Sequence, residues 1–128
     1  MNLTKEDLLL IEKAREAIKP NYDGVTFKHT VGCALRTKSG KIYVGVNVYS
    51  IHGACGEVIA IGNAITNGER EFDTIVAVAG DNNYNVIPPC GNCRQLLSDY
   101  MNDGYVIVDD ETKVKVSELL PYPYECKF

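Results

Sequence analysis

The chain has 128 residues, 45% hydrophobic and 23% charged, the makeup of one globular domain that can build a core without disulfides. Its net charge is −4, from 13 basic and 17 acidic residues with no basic block, which argues against a surface that tracks polymeric nucleic acid. No apolar run approaches the ~20 residues of a membrane span, and the charged N-terminus lacks a signal peptide's apolar block, so no membrane association and a cytoplasmic location are expected.

Thr4 with Asp7 makes a capping-box pattern, and Leu8, Ile11, Ala14 and Ile18 follow at helical spacing. A first helix is predicted from about residue 5 to Lys19, ending before Pro20. Val31–Arg36 and Lys41–Val48 flank Thr37-Lys38-Ser39-Gly40 and read as a β-hairpin. A second helix is predicted over Glu57–Thr66, closed by Asn67-Gly68. Thr74–Ala79 is nearly all apolar, as in a strand buried on both faces. Pro88-Pro89 precede a third helix through Arg94, Leu96, Leu97 and Tyr100. Tyr105–Val108 and Val114–Val116 read as further strands, with Ser117 as the cap of a last short helix ending at Pro121. Strands separated by helices, with no repeat or linker, predict one α/β domain of three layers over residues 1–128.

Five cysteines in a reducing compartment read as thiols, metal ligands or core fillers. Cys90-x-x-Cys93 opens the third helix, where the helix dipole and free amides favour thiolates and residues three apart share a face. Cys55 stands at the cap of the second helix, bringing another helix N-terminus to the same ion. Three thiol ligands leave zinc one open position, the catalytic arrangement. A fourth ligand, with His52 the candidate, would make the site structural, and a redox pair is the third reading. Cys33 falls in an apolar strand and Cys126 in the tail, so both are read as bystanders. Glu57, two residues beyond Cys55, is placed to move protons on an activated water; the bland alternative is a solvated carboxylate in a first helical turn. Arg94, beside Cys93, is expected to offset the negative charge of three thiolates on a divalent ion, or else to be a surface residue.

Cys55-Gly56-Glu57 and Pro89-Cys90-Gly91-Asn92-Cys93-Arg94-Gln95 resemble the paired signatures of the small cytidine deaminases. Val31-Gly32-Cys33-Ala34-Leu35, Gly45-Val46-Asn47 and Leu119-Leu120-Pro121 extend the resemblance over nearly the whole chain. It implies a three-layer α-β-α sandwich around a mixed five-stranded sheet, a Zn²⁺ cofactor on Cys55, Cys90 and Cys93, and a homotetramer. It also implies hydrolysis of the cytosine ring of a free nucleoside to uracil and ammonia, with Glu57 carrying the protons. Gly56 departs from the family's alanine but keeps the backbone that family members set against the base. Asn47 corresponds to a sugar contact, and Thr30, Tyr84 and Tyr124 are candidates to line or cover the pocket, each equally readable as packing or turn residues.

Two further departures point within the family. Asn47-Val48-Tyr49-Ser50 has a phenol where typical cytidine deaminases have a ribose-binding glutamate, and His29 stands where they have phenylalanine. Both look like blasticidin S deaminases, as does Leu119-Leu120-Pro121 followed by Tyr124, which implies a blasticidin S-like substrate and a role in antibiotic resistance. The alternatives are an ordinary cytidine deaminase of pyrimidine salvage and a non-catalytic, zinc-stabilised structural or interaction domain.

Overall fold

The computed structural model describes residues 1–125, so Cys126 lies outside the described residues. Helix α1 spans Lys5–Ile18. Its capping box is reciprocal: Thr4 Oγ1 accepts from the Asp7 N–H at 3.2 Å, and Asp7 Oδ2 accepts from the Thr4 N–H at 3.0 Å. The buried stripe of α1 is Asp7, Leu10, Ile11, Ala14 and Ile18. Leu8, counted in that stripe from spacing alone, is 51% exposed, because a paired carboxylate has taken the inward position instead.

The other elements follow in the expected order. They are strands β1 (Val31–Thr37) and β2 (Ile42–Val46), helix α2 (Gly56–Thr66), and strands β3 (Phe72–Ala79) and β4 (Asn85–Ile87). Helix α3 (Gly91–Met101), strands β5 (Tyr105–Ile107) and β6 (Lys113–Lys115) and helix α4 (Val116–Leu119) complete the chain. The sheet runs β2-β1-β3-β5-β6, with β3 and β5 parallel and the other neighbours antiparallel. One apolar cluster joins α1 to one face through Ala34, Val76 and Val78. The other joins α2 and α3 to the opposite face through Cys33, Leu35 and Ile75. The three-layer sandwich with its five-strand mixed path is therefore present.

Two details correct the sequence reading. A sixth strand, β4, pairs antiparallel with the C-terminal half of β3, while β5 takes the N-terminal half of the same edge. Its three residues sit in a polar stretch too short to show alternation. Ser117 lies inside α4, whose cap is Lys115, so the hydroxyl does not start that helix. Two glycines let the helices lie directly on the sheet. A Cβ on Gly32 would come 2.3 Å from the Ala14 carbonyl oxygen of α1, and one on Gly45 would come 2.5 Å from the Ala60 nitrogen of α2.

A buried charge cluster ties α1 to the sheet. Asp7 is fully buried and accepts from Arg36 Nη2 on β1 and Lys113 Nζ on β6, both at 2.9 Å. Burial pushes its carboxyl up, yet the Thr4 N–H, Lys113 and Arg36 outweigh that and hold it at about 2, against 3.8 ordinarily. A carboxyl with a depressed folded pKa stabilises the fold above the unfolded value and loses that contribution as pH falls toward the folded one. The shift corresponds to roughly 2 kcal/mol. Removing one partner of a buried pair costs about 3–5 kcal/mol. Asp7→Asn should therefore lose several kcal/mol in urea melts at neutral pH, and the gap to the parent protein should narrow between about pH 4 and pH 2. A gap independent of pH over that range would show that Asp7 does not act through its charge.

Candidate active site

Two helix starts converge at one point. Cys55 is the N-cap of α2 and Cys90 the N-cap of α3, both in extended backbone conformation. A two-way backbone bridge between Val48 and Ala54, at 2.9 Å each way, closes the loop that delivers Cys55. Strand β4 runs into Pro88-Pro89 and delivers Cys90. Cys93 is buried within the first turn of α3. The sulfurs of Cys55 and Cys90 are 3.9 Å apart, and all three thiol sulfurs lie within 4.8 Å of one another. Thiolates about 2.3 Å from a tetrahedral zinc ion sit roughly 3.8 Å apart, so the spacing suits that ion. Among the described residues the group contains these three cysteines and no other candidate ligand, so His52 does not close it. Cys33 is fully buried and outside the group.

The electrostatics of the group call for a cation. Burial pushes the Cys93 thiol far up, and the charges of Glu57 and the neighbouring thiols add to it. Burial also raises Cys55. Cys90 goes the other way: burial opposes ionisation, but the backbone N–H of Cys93, its thiol, the Cys55 thiol and the Asn92 N–H together lower it. Glu57, 6% exposed, is raised by burial. Three thiolates and a carboxylate this close cannot all be charged without a metal ion, which makes the donor set a fit for zinc.

Cys55, Cys90 and Glu57 line a cleft of about 400 Å³, a size suited to a small molecule. Gly56 lines it too. A Cβ there would approach the Cys33 Cβ to 3.1 Å, so glycine lets the start of α2 press against β1. Asn47, Tyr49 and Ser50 supply its polar wall, and Glu57 is the one carboxylate among the lining residues. The Asn47 side-chain oxygen accepts from the backbone N–H groups of Thr30 and Val31 at 2.8 and 2.9 Å.

Several expected residues sit elsewhere. Thr30 bonds through its backbone to Asn47 and Gly80 and does not line the cleft. Tyr84 packs edge-on against Tyr22 under the Lys19 ammonium, on the α1 side. Tyr124 is 74% exposed, its backbone bracketed by the Gln95 amide at 2.7 and 3.2 Å. Arg94 donates to the carbonyls of Pro89 and Leu119 at 3.0 and 3.4 Å. It braces the loop before Cys90 against α4, and among the described residues no bond to a thiol accompanies that. Ile87 and Pro88, which do line the cleft, escaped the sequence reading because β4 did. The Pro88-Pro89 pair was the available signal.

The sequence profile described as "Cytidine and deoxycytidylate deaminase zinc-binding region" matches residues 4–111. A blasticidin-S deaminase from Bacillus cereus is 41% identical over 135 aligned positions, spanning 96% of this chain and 95% of that protein. A cytidine deaminase from Sporosarcina psychrophila is 32% identical, with 86% of this chain and 82% of that protein covered. The crystal structure of a cytidine deaminase from Burkholderia pseudomallei superposes with a TM-score of 0.78 at 30% identity, covering 95% of this chain and all of the other. A profile match over most of the chain, and relatives aligned almost end to end, establish that this chain belongs to the zinc-binding cytidine and deoxycytidylate deaminase family.

Proposed function

We propose that this chain hydrolyses the cytosine ring of a free nucleoside, with a blasticidin S-like nucleoside preferred over cytidine. The observation that carries the chemistry is Glu57, a buried carboxylate in the cleft wall beside three clustered thiols. Cys55, Cys90 and Cys93 would hold the zinc. When bound, zinc supplies the Lewis acidity that makes water nucleophilic near neutral pH. Glu57 has a raised affinity for protons and is acceptor first, donor later. It takes a proton from the water that adds to C4 and passes it to ring N3, then takes the proton of the new C4 hydroxyl and passes it to the departing amine, so that cytosine and water leave as uracil and ammonia. The N-termini of α2 and α3 favour thiolate at Cys55 and Cys90.

The substrate preference rests on the polar wall. Tyr49 lines the cleft where a typical family member has a carboxylate for ribose hydroxyls, and the likeness to a blasticidin-S deaminase covers nearly the whole chain. Salvage of ordinary cytidine is the second reading, favoured by the relatives named cytidine deaminases.

Assembly into a cytoplasmic homotetramer belongs to the same proposal. Val25, Phe27 and Ile51 are 89%, 55% and 94% exposed, apolar side chains that a neighbouring copy would cover. No helix among the described residues is long and apolar enough to cross a membrane. Light scattering should give about four times the 14.1 kDa chain mass. A monomer across micromolar concentrations would contradict the assembly.

The purified protein should carry about one zinc per chain, and Cys90→Ala should lose zinc and activity while Cys33→Ala keeps its zinc. Glu57→Gln should keep fold and zinc but lose orders of magnitude in kcat, since general acid–base groups contribute about 10²–10⁴-fold. Full turnover by Glu57→Gln would overturn the assignment. For substrate choice, the parent protein should show the higher kcat/KM on blasticidin S. Tyr49→Glu should move the ratio toward cytidine by about tenfold or more, because a site that bonds a hydroxyl discriminates strongly. A parent preference for cytidine, or an unmoved ratio, would leave a deaminase with a different substrate.

A further inference from the structure

The polar wall of the cleft is suspended from the start of β1 and the segment before it. Asn47 donates its backbone N–H to the Val31 carbonyl at 3.2 Å, and Tyr49 donates its own to the Lys28 carbonyl at 3.3 Å. The Asn47 side chain adds three bonds: its Oδ1 accepts from the Thr30 and Val31 amides, and its Nδ2 donates to the Lys28 carbonyl at 3.4 Å. With both backbone amides on the oxygen, the amide group has one orientation, and what Asn47 can offer the cleft is its Nδ2 donor. The remaining tie comes from half-buried His29, whose Nδ1 lies 2.9 Å from the Asn47 carbonyl oxygen. A carbonyl only accepts, so Nδ1 carries the proton.

His29 is not a lining residue of the cleft, and among the described residues no other side chain bonds to the Asn47 backbone. His29 is instead a donor aimed at the backbone of a cleft residue. We infer that His29 is a positioning residue: through the Asn47 carbonyl it fixes the wall that carries Asn47 and Tyr49, and so sets the affinity for the sugar end of the substrate. It acts on the proposed nucleoside reaction without touching the reacting atoms, so its effect falls on KM and leaves kcat in place.

The test compares His29→Phe, which keeps a ring and loses the donor, with His29→Asn, whose side-chain N–H reaches the position of imidazole Nδ1. Two readouts are taken on the zinc-loaded protein: amide hydrogen exchange at Thr30 and Val31, and KM and kcat on blasticidin S and cytidine. In His29→Phe both amides should exchange about tenfold faster and KM should rise by up to about tenfold, the worth of one net hydrogen bond, with kcat and zinc content within about twofold of the parent. His29→Asn should restore both readouts. Parent-like exchange in His29→Phe, or His29→Asn as poor as His29→Phe, would overturn the inference. So would faster exchange with unchanged KM, which would make the bond purely structural, or raised KM with unchanged exchange, which would put the ring on the substrate itself. Should the parent protein deaminate neither nucleoside, the proposed reaction fails, and the exchange arm still decides what His29 holds.

Discussion

Three sulfurs within 4.8 Å of one another beside a buried carboxylate are the constraint on which the rest of the molecule depends. Each group alone prefers to be protonated or solvated, and together they can all be charged only as a ligand set for a cation. Everything structural nearby serves to bring them together. The N-termini of α2 and α3 point at the cluster, and the elements behind them fix where those helices begin. On the α2 side that is the bare backbone of Gly45 and the 48–54 bridge. On the α3 side it is β4, which takes the half of the β3 edge that β5 leaves free and hands the chain to Pro88-Pro89. The short strand missed in the sequence is thus the part of the fold that aims Cys90.

The same arrangement supports the proposal that one cleft holds both a metal and a proton carrier. Glu57 sits in the first turn of α2, two residues beyond Cys55, so the helix that presents one thiol also presents the carboxylate. Burial raises its proton affinity, and the hydrogen bonds from its own backbone N–H and from the Cys93 thiol only partly oppose that. A carboxylate exposed in the same turn would titrate with the solvent and be a weak proton carrier near neutral pH. Arg94, expected to balance the charge of the thiolates, braces the Pro89 and Leu119 carbonyls instead. The balance near the metal is therefore left to helix N-termini and backbone amides, as the lowered Cys90 thiol shows.

Much of this was legible in the sequence because it is local. The capping box at Thr4 and Asp7, the hairpin turn before β2 and the Cys-x-Glu and Pro-Cys-x-x-Cys spacings each have a short-range physical cause. What was not legible depends on where distant segments meet. Asp7 reads in sequence only as the acid of a capping box, and its burial depends on Arg36 and Lys113, far along the chain, arriving at it. Tyr84 and Tyr124 are aromatic residues near the signatures in sequence, yet one packs on α1 and the other is displayed outward by Gln95. His29 carried a signal, a polar ring in a place for an apolar one, but only the fold shows the carbonyl it faces.

The central claim is a zinc ion held by three cysteine sulfurs, with one position left open beside Glu57. X-ray absorption at the zinc edge of the purified protein tests it most directly. Three sulfur neighbours at about 2.3 Å and one oxygen at about 2.0 Å are expected. Four sulfurs, or three sulfurs and an imidazole nitrogen, would show a closed structural site and contradict the account.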